Sequence, residues 1–505
     1  MSYALLLVFL LPTLGVPFVY LTGKKSPRAA AIIVALIAIA NMALIFTTVS
    51  TVLNSPDHEY VESYYWIPIL KSEFTLFVDG ISVSMAIITL VLIIAAALFS
   101  INYMEGKKNL AVYYSLLTLL SIGLVGVFIT SNLLLFYFCW ELMLVPAYFI
   151  IGGWGYTEPY RAAFKFFIFT HAGAVFVVLG IGAIYMVTGA TDMFQAQAAL
   201  MTVSPDIVRW ILLALTAGFA VKMAVVPLHM WLPDAHSEAP SPMSALLSGV
   251  IISAGAYAIL RVSLGVVFPA VMGTAFGSDF MHGLTIFGVI SAFFGSLIAL
   301  VETDIKRIIA YSSIAHMGYV LFGLSLFPSA ASITGTVVIT AAITGTVLHL
   351  VNHAVSKGLF FLSAGAIMHQ TEIRDIREMG GLAGKMPFTA VASTTAALSI
   401  AGTPPFACFI SEFLIFVGAF EVINTDGFFL LPTAFMLIAT VISLAYSLRY
   451  LSRVFLGQAK SEGEKKILDV PNYMKLAMAI LVVLVIVLGI WPTFFVQLIN
   501  TVQFI

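Results

Sequence analysis

Long apolar runs separated by short polar clusters set the rhythm of the chain. Runs of about twenty apolar residues fall at 3–21, 29–53, 78–102, 110–130, 132–152, 162–188, 207–227, 242–270, 280–302, 306–326, 332–369, 386–422, 428–456 and 472–498. A helix of that length matches the hydrocarbon core of a bilayer and satisfies its own backbone there. The pattern predicts an all-α polytopic membrane protein with about 14 transmembrane helices. The two longest runs, 332–369 and 386–422, are long enough to be bent or broken. The polar tripeptide Thr130-Ser131-Asn132 divides the fourth run from the fifth. The largest piece between runs, 54–77, is too short for a domain, so no soluble catalytic domain is expected. Met1 to Tyr20 has no basic n-region and no small-residue cleavage site, and reads as a first span.

Proline inside a span removes a backbone hydrogen bond and breaks the helix. Lipid tolerates this only where the freed groups face protein or a wet cavity. Two mid-span breaks are predicted, at Pro227 in the seventh run and at Thr403-Pro404-Pro405 in the twelfth. With runs four to eight as one five-helix unit and nine to thirteen as another, both breaks fall in the fourth helix of their unit. An odd number of spans inverts the second unit relative to the first. The expected organisation is N-terminal helices over 1–109, a first five-helix repeat over 110–270, a second, inverted repeat over 280–456, and a C-terminal loop and helix over 457–505. Paired breaks in inverted repeats point to a midplane ion site in a transporter. The competing reading is that each proline merely kinks its span.

Composition agrees with the pattern. Of 505 residues, 61% are hydrophobic and only 9% charged, with a mean hydropathy of +1.07. Soluble domains carry roughly 25% charged residues. A net charge of −1 without a basic tract excludes nucleic-acid binding. Cys139 and Cys408 are too few and too far apart for an iron–sulfur cluster or a disulfide framework. Neither a metal site nor a cofactor of the chain's own is expected, so redox chemistry must come from partner subunits. Basic residues cluster in alternate loops: Lys24, Lys25 and Arg28; Lys107 and Lys108; Arg161; Lys306 and Arg307; Arg374, Arg377 and Lys385; Lys460, Lys465 and Lys466. The opposite loops hold Lys71 and Arg209. This bias puts the first set in the cytoplasm of a prokaryotic cell and both termini outside its cytoplasmic membrane.

Ionisable residues within spans cost several kcal/mol unless paired or hydrated, and each is a functional candidate. Glu141 in the fifth run and Lys222 in the seventh, five residues before Pro227, could pair. Breaking the pair would then release a proton from Lys222. A static ion pair that specifies packing is the alternative. Glu412, after the second break, is the acidic residue well inside the second unit; otherwise it is a carboxylate at a half-helix N-terminus. His349, His353 and Lys357 are spaced four apart and share one helix face over about 12 Å, which suggests a proton wire. His316, flanked by polar residues, is a further candidate. Asp79 reads as a helix-start residue, and Lys165 and Arg261 as snorkelling cations. Asp234, His236 and Glu238 read as the cap and mouth of the eighth span, a poor match to a metal site.

Several of these strings resemble a known family. Trp140-Glu141-Leu142-Met143-Leu144-Val145-Pro146 is similar to the fifth-helix signature of the M-type antiporter-like subunit of respiratory complex I (the mitochondrial subunit-4 type). So is Ala220-Val221-Lys222-Met223 running into Pro227-Leu228-His229-Met230-Trp231-Leu232-Pro233-Asp234-Ala235-His236-Ser237-Glu238-Ala239-Pro240. Asp304 to Ser313, His316-Met317-Gly318 and Gly402-Thr403-Pro404 through Glu412-Phe413 extend the match over roughly 75–460. The resemblance implies fourteen helices with two inverted five-helix units, each holding half of a proton channel. It implies that Glu141 and Lys222 are the regulated ion pair and Glu412 the terminal proton-releasing carboxylate. His316 and the polar residues of the eleventh helix would belong to a central hydrated axis.

The implied function is proton translocation in the membrane arm of an NADH (or F420H2/ferredoxin):quinone-type oxidoreductase. The implied partners are other antiporter-like and membrane-arm subunits with a peripheral redox arm, in contact with membrane lipid. Cation/proton antiporters and membrane-bound hydrogenases are the alternative complexes. One departure matters. The family usually carries a lysine in the eighth helix, where this chain has Ser253. Lys357 with His353 is expected to take over that bridging role.

Overall fold

The computed structural model describes residues 3–327, 341–458 and 467–502. The start of the 332–369 run and Lys460, Lys465 and Lys466 lie outside the described residues. The chain opens with α1 (Ala4–Lys25) and α2 (Pro27–Asn54), then a hairpin of β1 (Tyr60–Ile67) and β2 (Ser72–Val78). Next come α3 (Gly80–Tyr103), α4 (Leu110–Phe128), α5 (Leu133–Trp154), α6 (Pro159–Thr188), the short α7 (Met193–Leu200) and α8 (Pro205–Met223). After an irregular turn, α9 (Leu232–Glu238) leads into a continuous helical rod, Ser241–Val271. That rod contains α10 (Ser241–Leu246) and α11 (Ile252–Ala258), with wide π-type turns over Leu247–Ile251 and Ile259–Val267. The second half comprises α12 (Ala275–Val301), α13 (Ile305–Ser325), α14 (Ala341–Thr371), α15 (Pro387–Ile400), α16 (Ala407–Ile423), α17 (Leu430–Phe455), α18 (Asn472–Ile490) and α19 (Thr493–Asn500).

Twelve helices among the described residues are long and apolar enough to cross a membrane, which makes the chain a multi-pass membrane protein. The two remaining predicted spans are the broken ones. The seventh is divided into α8 and α9, and α8 carries Asp206, Arg209 and Lys222 within its 19 residues. The twelfth is divided into α15 and α16, of 14 and 17 residues. Twelve of the about fourteen expected spans are thus uninterrupted helices, and the other two are divided at the prolines.

The membrane-spanning elements are all α-helical, as expected, and one hairpin is added to them. Residues 60–78 form an antiparallel two-stranded sheet, with Tyr60 opposite Val78 and Tyr64 opposite Phe74. Glu62 of β1 accepts from the backbone N–H groups of Leu5 and Leu6, at 3.0 Å each, and so caps the orphan donors of α1. Thr130 and Asn132, between α4 and α5, tie into the second strand through the Thr75 carbonyl and the Ser72 hydroxyl. The same Asn132 side chain caps α5 by accepting from Leu134 and Leu135. That tripeptide is thus a true boundary, held by the hairpin.

Burial is uneven, and it locates the site. The helices α3, α13, α14 and the 241–271 rod are enclosed by protein along almost their whole length. Within this core α14 packs against α3, α10, α13, α15, α16 and α18. By contrast α1, α6 and α17 turn large apolar residues outward, among them Leu14, Met186 and Val441. Without a water–hydrocarbon difference to drive packing, small residues let the inner helices approach closely. Gly288 and Gly295 of α12 meet the backbone of α13, and Gly318 of α13 meets α12 in return.

Candidate functional site

The first break is closed by its own sequence. α8 ends at Met223, and Ala224 turns the chain at φ +61°. The Trp231 indole N–H donates to the Val221 carbonyl at 2.9 Å, and the Val226 N–H donates to the Ser291 hydroxyl of α12 at 3.0 Å. Groups freed by the break are thus satisfied by a motif residue and by the second half of the chain, as a low-dielectric interior requires.

Lys222 stands in the last turn of α8, 2% exposed. Its ammonium donates to the Trp140 carbonyl at 3.0 Å and sits 3.8 Å from the centre of the Trp140 ring, a cation–π contact. Glu141, the next residue of α5, turns to His171 of α6 instead, with 3.5 Å between Oε2 and Nδ1. Its other oxygen is buried without a hydrogen-bond partner. The expected contact of Glu141 with Lys222 is therefore absent as a direct bridge, although the carboxylate acts on the ammonium through space. Trp140, the residue before Glu141, takes the place of the carboxylate and offers the cation a π face and a carbonyl. His171 was not singled out by the sequence.

The second cluster joins three helices. His316 Nδ1 on α13 lies 3.1 Å from His349 Nε2 on α14, with the rings stacked. His349 Nδ1 lies 3.0 Å from the Ser411 hydroxyl of α16, and Glu412 Oε1 lies 3.8 Å from His316 Nδ1. The Glu412 carboxylate packs against Gly402, whose φ of +64° turns the chain between α15 and α16. Asn352 donates to the Ala407 carbonyl at 2.7 Å and the Ser411 hydroxyl at 3.2 Å, which pins the head of α16 to α14. His353 is fully buried, its ring 5.6 Å from His316, and neither of its nitrogens has a hydrogen-bond partner.

Between the clusters lies Lys357. It faces α13, where its ammonium donates to the Ile309 carbonyl at 3.2 Å and makes a short hydrogen bond to the Ser312 hydroxyl. His349, His353 and Lys357 thus all face α13. Ser253, at the position of the expected lysine, is fully buried and donates to the Gly249 carbonyl of its own helix at 2.9 Å.

His236, read from the sequence as part of a loop mouth, is a correction. It is fully buried in α9, stacked on Phe361 of α14 at 4.9 Å, and both ring nitrogens lack a partner. It feels both Lys306 and Lys357. The signal was Leu232–Glu238 itself, a seven-residue helix that carries its histidine inward. Lys306, read as a cytoplasmic loop charge, is also buried, donating to the Ala239 carbonyl at 2.5 Å, where it caps α9.

Other charges are paired. Lys165 and Arg307 hold Asp234 at 2.7 Å each, and Arg374 reaches Glu238 at 3.3 Å and Asp304 at 2.8 Å. With Glu158 and Arg161, several of these line a polar cavity of about 350 Å³. Asp79 does cap α3, accepting from Ser82 at 2.9 Å, but it also binds Arg261 at 2.5 Å. Arg261 does not snorkel; it is 8% exposed. Cys139 and Cys408 are free and buried.

Residues 130–443 match the family described as NADH:quinone oxidoreductase/Mrp antiporter, TM. NADH-quinone oxidoreductase subunit M of Rickettsia conorii is 32% identical over 495 residues, 96% of this chain and 94% of that protein. F(420)H(2) dehydrogenase subunit M of Methanosarcina mazei is 32% identical, over 86% of this chain and 84% of that protein. A chain of respiratory complex I from Thermus thermophilus has the same fold, with a TM-score of 0.83 over 98% of this chain and 97% of that one, at 23% identity. With the broken helices, the buried lysines and the buried histidines in place along that span, this chain belongs to the NADH:quinone oxidoreductase/Mrp antiporter membrane-subunit family.

Proposed function

We propose that this chain is the M-type proton-translocating membrane-arm subunit of a complex I-like oxidoreductase, NADH (or F420H2/ferredoxin):quinone in type. Electron transfer in a peripheral redox arm is coupled, through neighbouring antiporter-like subunits, to proton movement here. The chain holds no redox centre of its own, and its donor atoms serve proton transfer. It lies in a prokaryotic cytoplasmic membrane with both termini outside, and α8/α9 and α15/α16 complete fourteen crossings. Residues 110–270 and 280–456 are the two inverted five-helix units.

The observation that carries this reading is the succession of enclosed titratable side chains between the two breaks. Lys222 stands at the first, His236 and Lys357 follow, then His353, His316 and His349, and Glu412 stands at the second. Isolated charges at membrane depth are costly, so a chain of them is best explained by use. Protons pass from Lys222 through water beside Ser253 and His236 to Lys357 and His353, and leave by Glu412. Lys222 is switched by the Glu141–His171 pair acting through space.

Redox-driven proton uptake by vesicles holding the whole complex tests this. Glu141→Ala, with assembly checked on native gels, is expected to lower electron transfer and pumping together by tenfold or so, the scale of one lost ~1.4 kcal/mol interaction. Unchanged rates in an assembled variant would remove the mechanism. In the same assay Lys357→Ala is expected to stop pumping, whereas Ser253→Lys supplies a second bridging base and spares it. Intact pumping in Lys357→Ala would assign the bridging role elsewhere.

A second reading, a cation/proton antiporter subunit without a redox partner, rests on the matched family itself, whose description joins NADH:quinone oxidoreductase with the Mrp antiporter. It predicts sodium-driven proton exchange in vesicles without an electron donor.

A further inference from the structure

Three donor atoms from three helices converge in the second half: His316 Nδ1, His349 Nε2 and a Glu412 oxygen. All lie within 4.8 Å of one another. The two nitrogens are 3.1 Å apart, and Glu412 Oε1 is 3.8 Å from His316 Nδ1. A tetrahedral ion with nitrogen and oxygen ligands at about 2.0–2.1 Å holds those ligands roughly 3.3 Å apart. The carboxylate would have to close by about half an ångström on His316, and to come within the same reach of His349, to complete three corners.

The histidines are already oriented for this. The Ser411 hydroxyl donates to the Cys408 carbonyl at 2.9 Å, so toward His349 it accepts. His349 therefore carries its proton on Nδ1 and presents the Nε2 lone pair to His316. Metal-bound histidines are held in this way, by a hydrogen bond from the far nitrogen. The far nitrogen of His316 has the Tyr446 hydroxyl at 3.5 Å. His353, fully buried with both nitrogens unpartnered, lies outside the trio, its ring centre 5.6 Å from that of His316 and 6.2 Å from that of His349. Imidazole and carboxylate donors suit zinc-class ions over magnesium or calcium.

Glu412 is the least enclosed member of the trio, its side chain 8% exposed against 0% for His316, and it packs against Gly402 of the break. Lys357 stands one helical turn from His353 on α14 and bonds Ser312, one turn from His316 on α13, so its cation opposes a dication at the trio.

We propose that His316, His349 and Glu412 form a binding site for one zinc-class divalent ion. The ion replaces the proton between the two histidines. His316 moves its ring proton from Nδ1 to Nε2, toward Tyr446, and both inner lone pairs bind the metal. Binding itself is independent of the transport reading; only the resulting block of proton movement rests on it.

The test counts zinc. The intact complex is stripped with a chelator, loaded with Zn²⁺, washed and analysed by mass spectrometry, with zinc-edge X-ray absorption on the wild type. Glu412→Gln, which is isosteric, and His349→Ala are each expected to lose one tightly held zinc per complex. Lys357→Ala should fill at a lower zinc concentration than wild type, and His171→Ala, in the first half, should be unchanged. The absorption edge should report nitrogen and oxygen ligands without sulfur. Equal zinc in wild type and Glu412→Gln, equal loss in His171→Ala, or weaker loading of Lys357→Ala would each overturn the proposal. A failure of pumping with zinc counts as expected would overturn the transport reading and leave this site standing.

Discussion

Single residues carry the chemistry, and their setting explains their identity. Gly402 is the sharpest case. Its φ of +64° disfavours any side chain, and a Cβ there would collide with the Glu412 carboxylate. Gly402→Ala should therefore push Glu412 out of its contact with His316. The expected outcome is an assembled complex with pumping lowered at least severalfold; native gels and vesicle proton uptake read the two halves of that statement. Retained pumping would mean that Glu412 need not touch the histidine pair. The charges Glu141, Lys222, His349, His353, Lys357 and Glu412 were legible in the sequence because an ionisable group in an apolar run is conspicuous. Their partners were not. Trp140 offers Lys222 a carbonyl and a ring, and His171 takes Glu141; helix-to-helix rotation sets both, and no spacing rule reaches across helices. Arg261, expected to reach for the headgroups, instead meets Asp79 from 182 positions away in the chain.

At the scale of elements, the two breaks were legible because proline is a local cause with a local effect. Their repair was not. The Trp231 indole closing onto the Val221 carbonyl depends on the whole turn from Met223 to Leu232. Trp231→Phe removes the indole donor and part of the ring volume, leaving the Val221 carbonyl with the Ala224 N–H alone, at a cost of about 1 kcal/mol for the lost hydrogen bond. A lowered unfolding temperature for the detergent-solubilised complex, together with faster proteolysis between α8 and α9, is the expected outcome; unchanged values would mean that water takes over the carbonyl. The hairpin of residues 60–78 is not legible from apolar run length, because its strands, of 8 and 7 residues, mix polar and aromatic positions. Its role, capping α1 through Glu62, depends on an approach between the strand and the helix end. His236 was lost in the same way: a seven-residue helix between two prolines looks like a loop until it is seen lying against α14.

For the whole molecule, the enclosed α14 contrasts with α1, α6 and α17, which turn large apolar residues outward. The crossing of α15/α16 has a direct test. A single cysteine replacing the exposed Lys385 should be labelled from the cytoplasmic side, and one replacing the exposed Asn424 from the outside, by a membrane-impermeant maleimide. Cys139 and Cys408 are buried and give little background. Labelling of both positions from one side would show that the broken helix does not cross.

The sequence by itself determined the class, the number and rough placement of the apolar helices, the two breaks and the main ionisable candidates. Each of these follows from a cost paid locally: a polar group in lipid, a missing backbone donor, a charge at membrane depth. Tertiary structure alone decided which apolar helix is enclosed and which faces outward, which charges touch, and that His236 and Lys306 lie inside the protein. Composition cannot separate these outcomes, because a helix facing lipid and a helix facing protein are equally apolar. Only the packing of one against another decides which of the buried charges come within reach of each other.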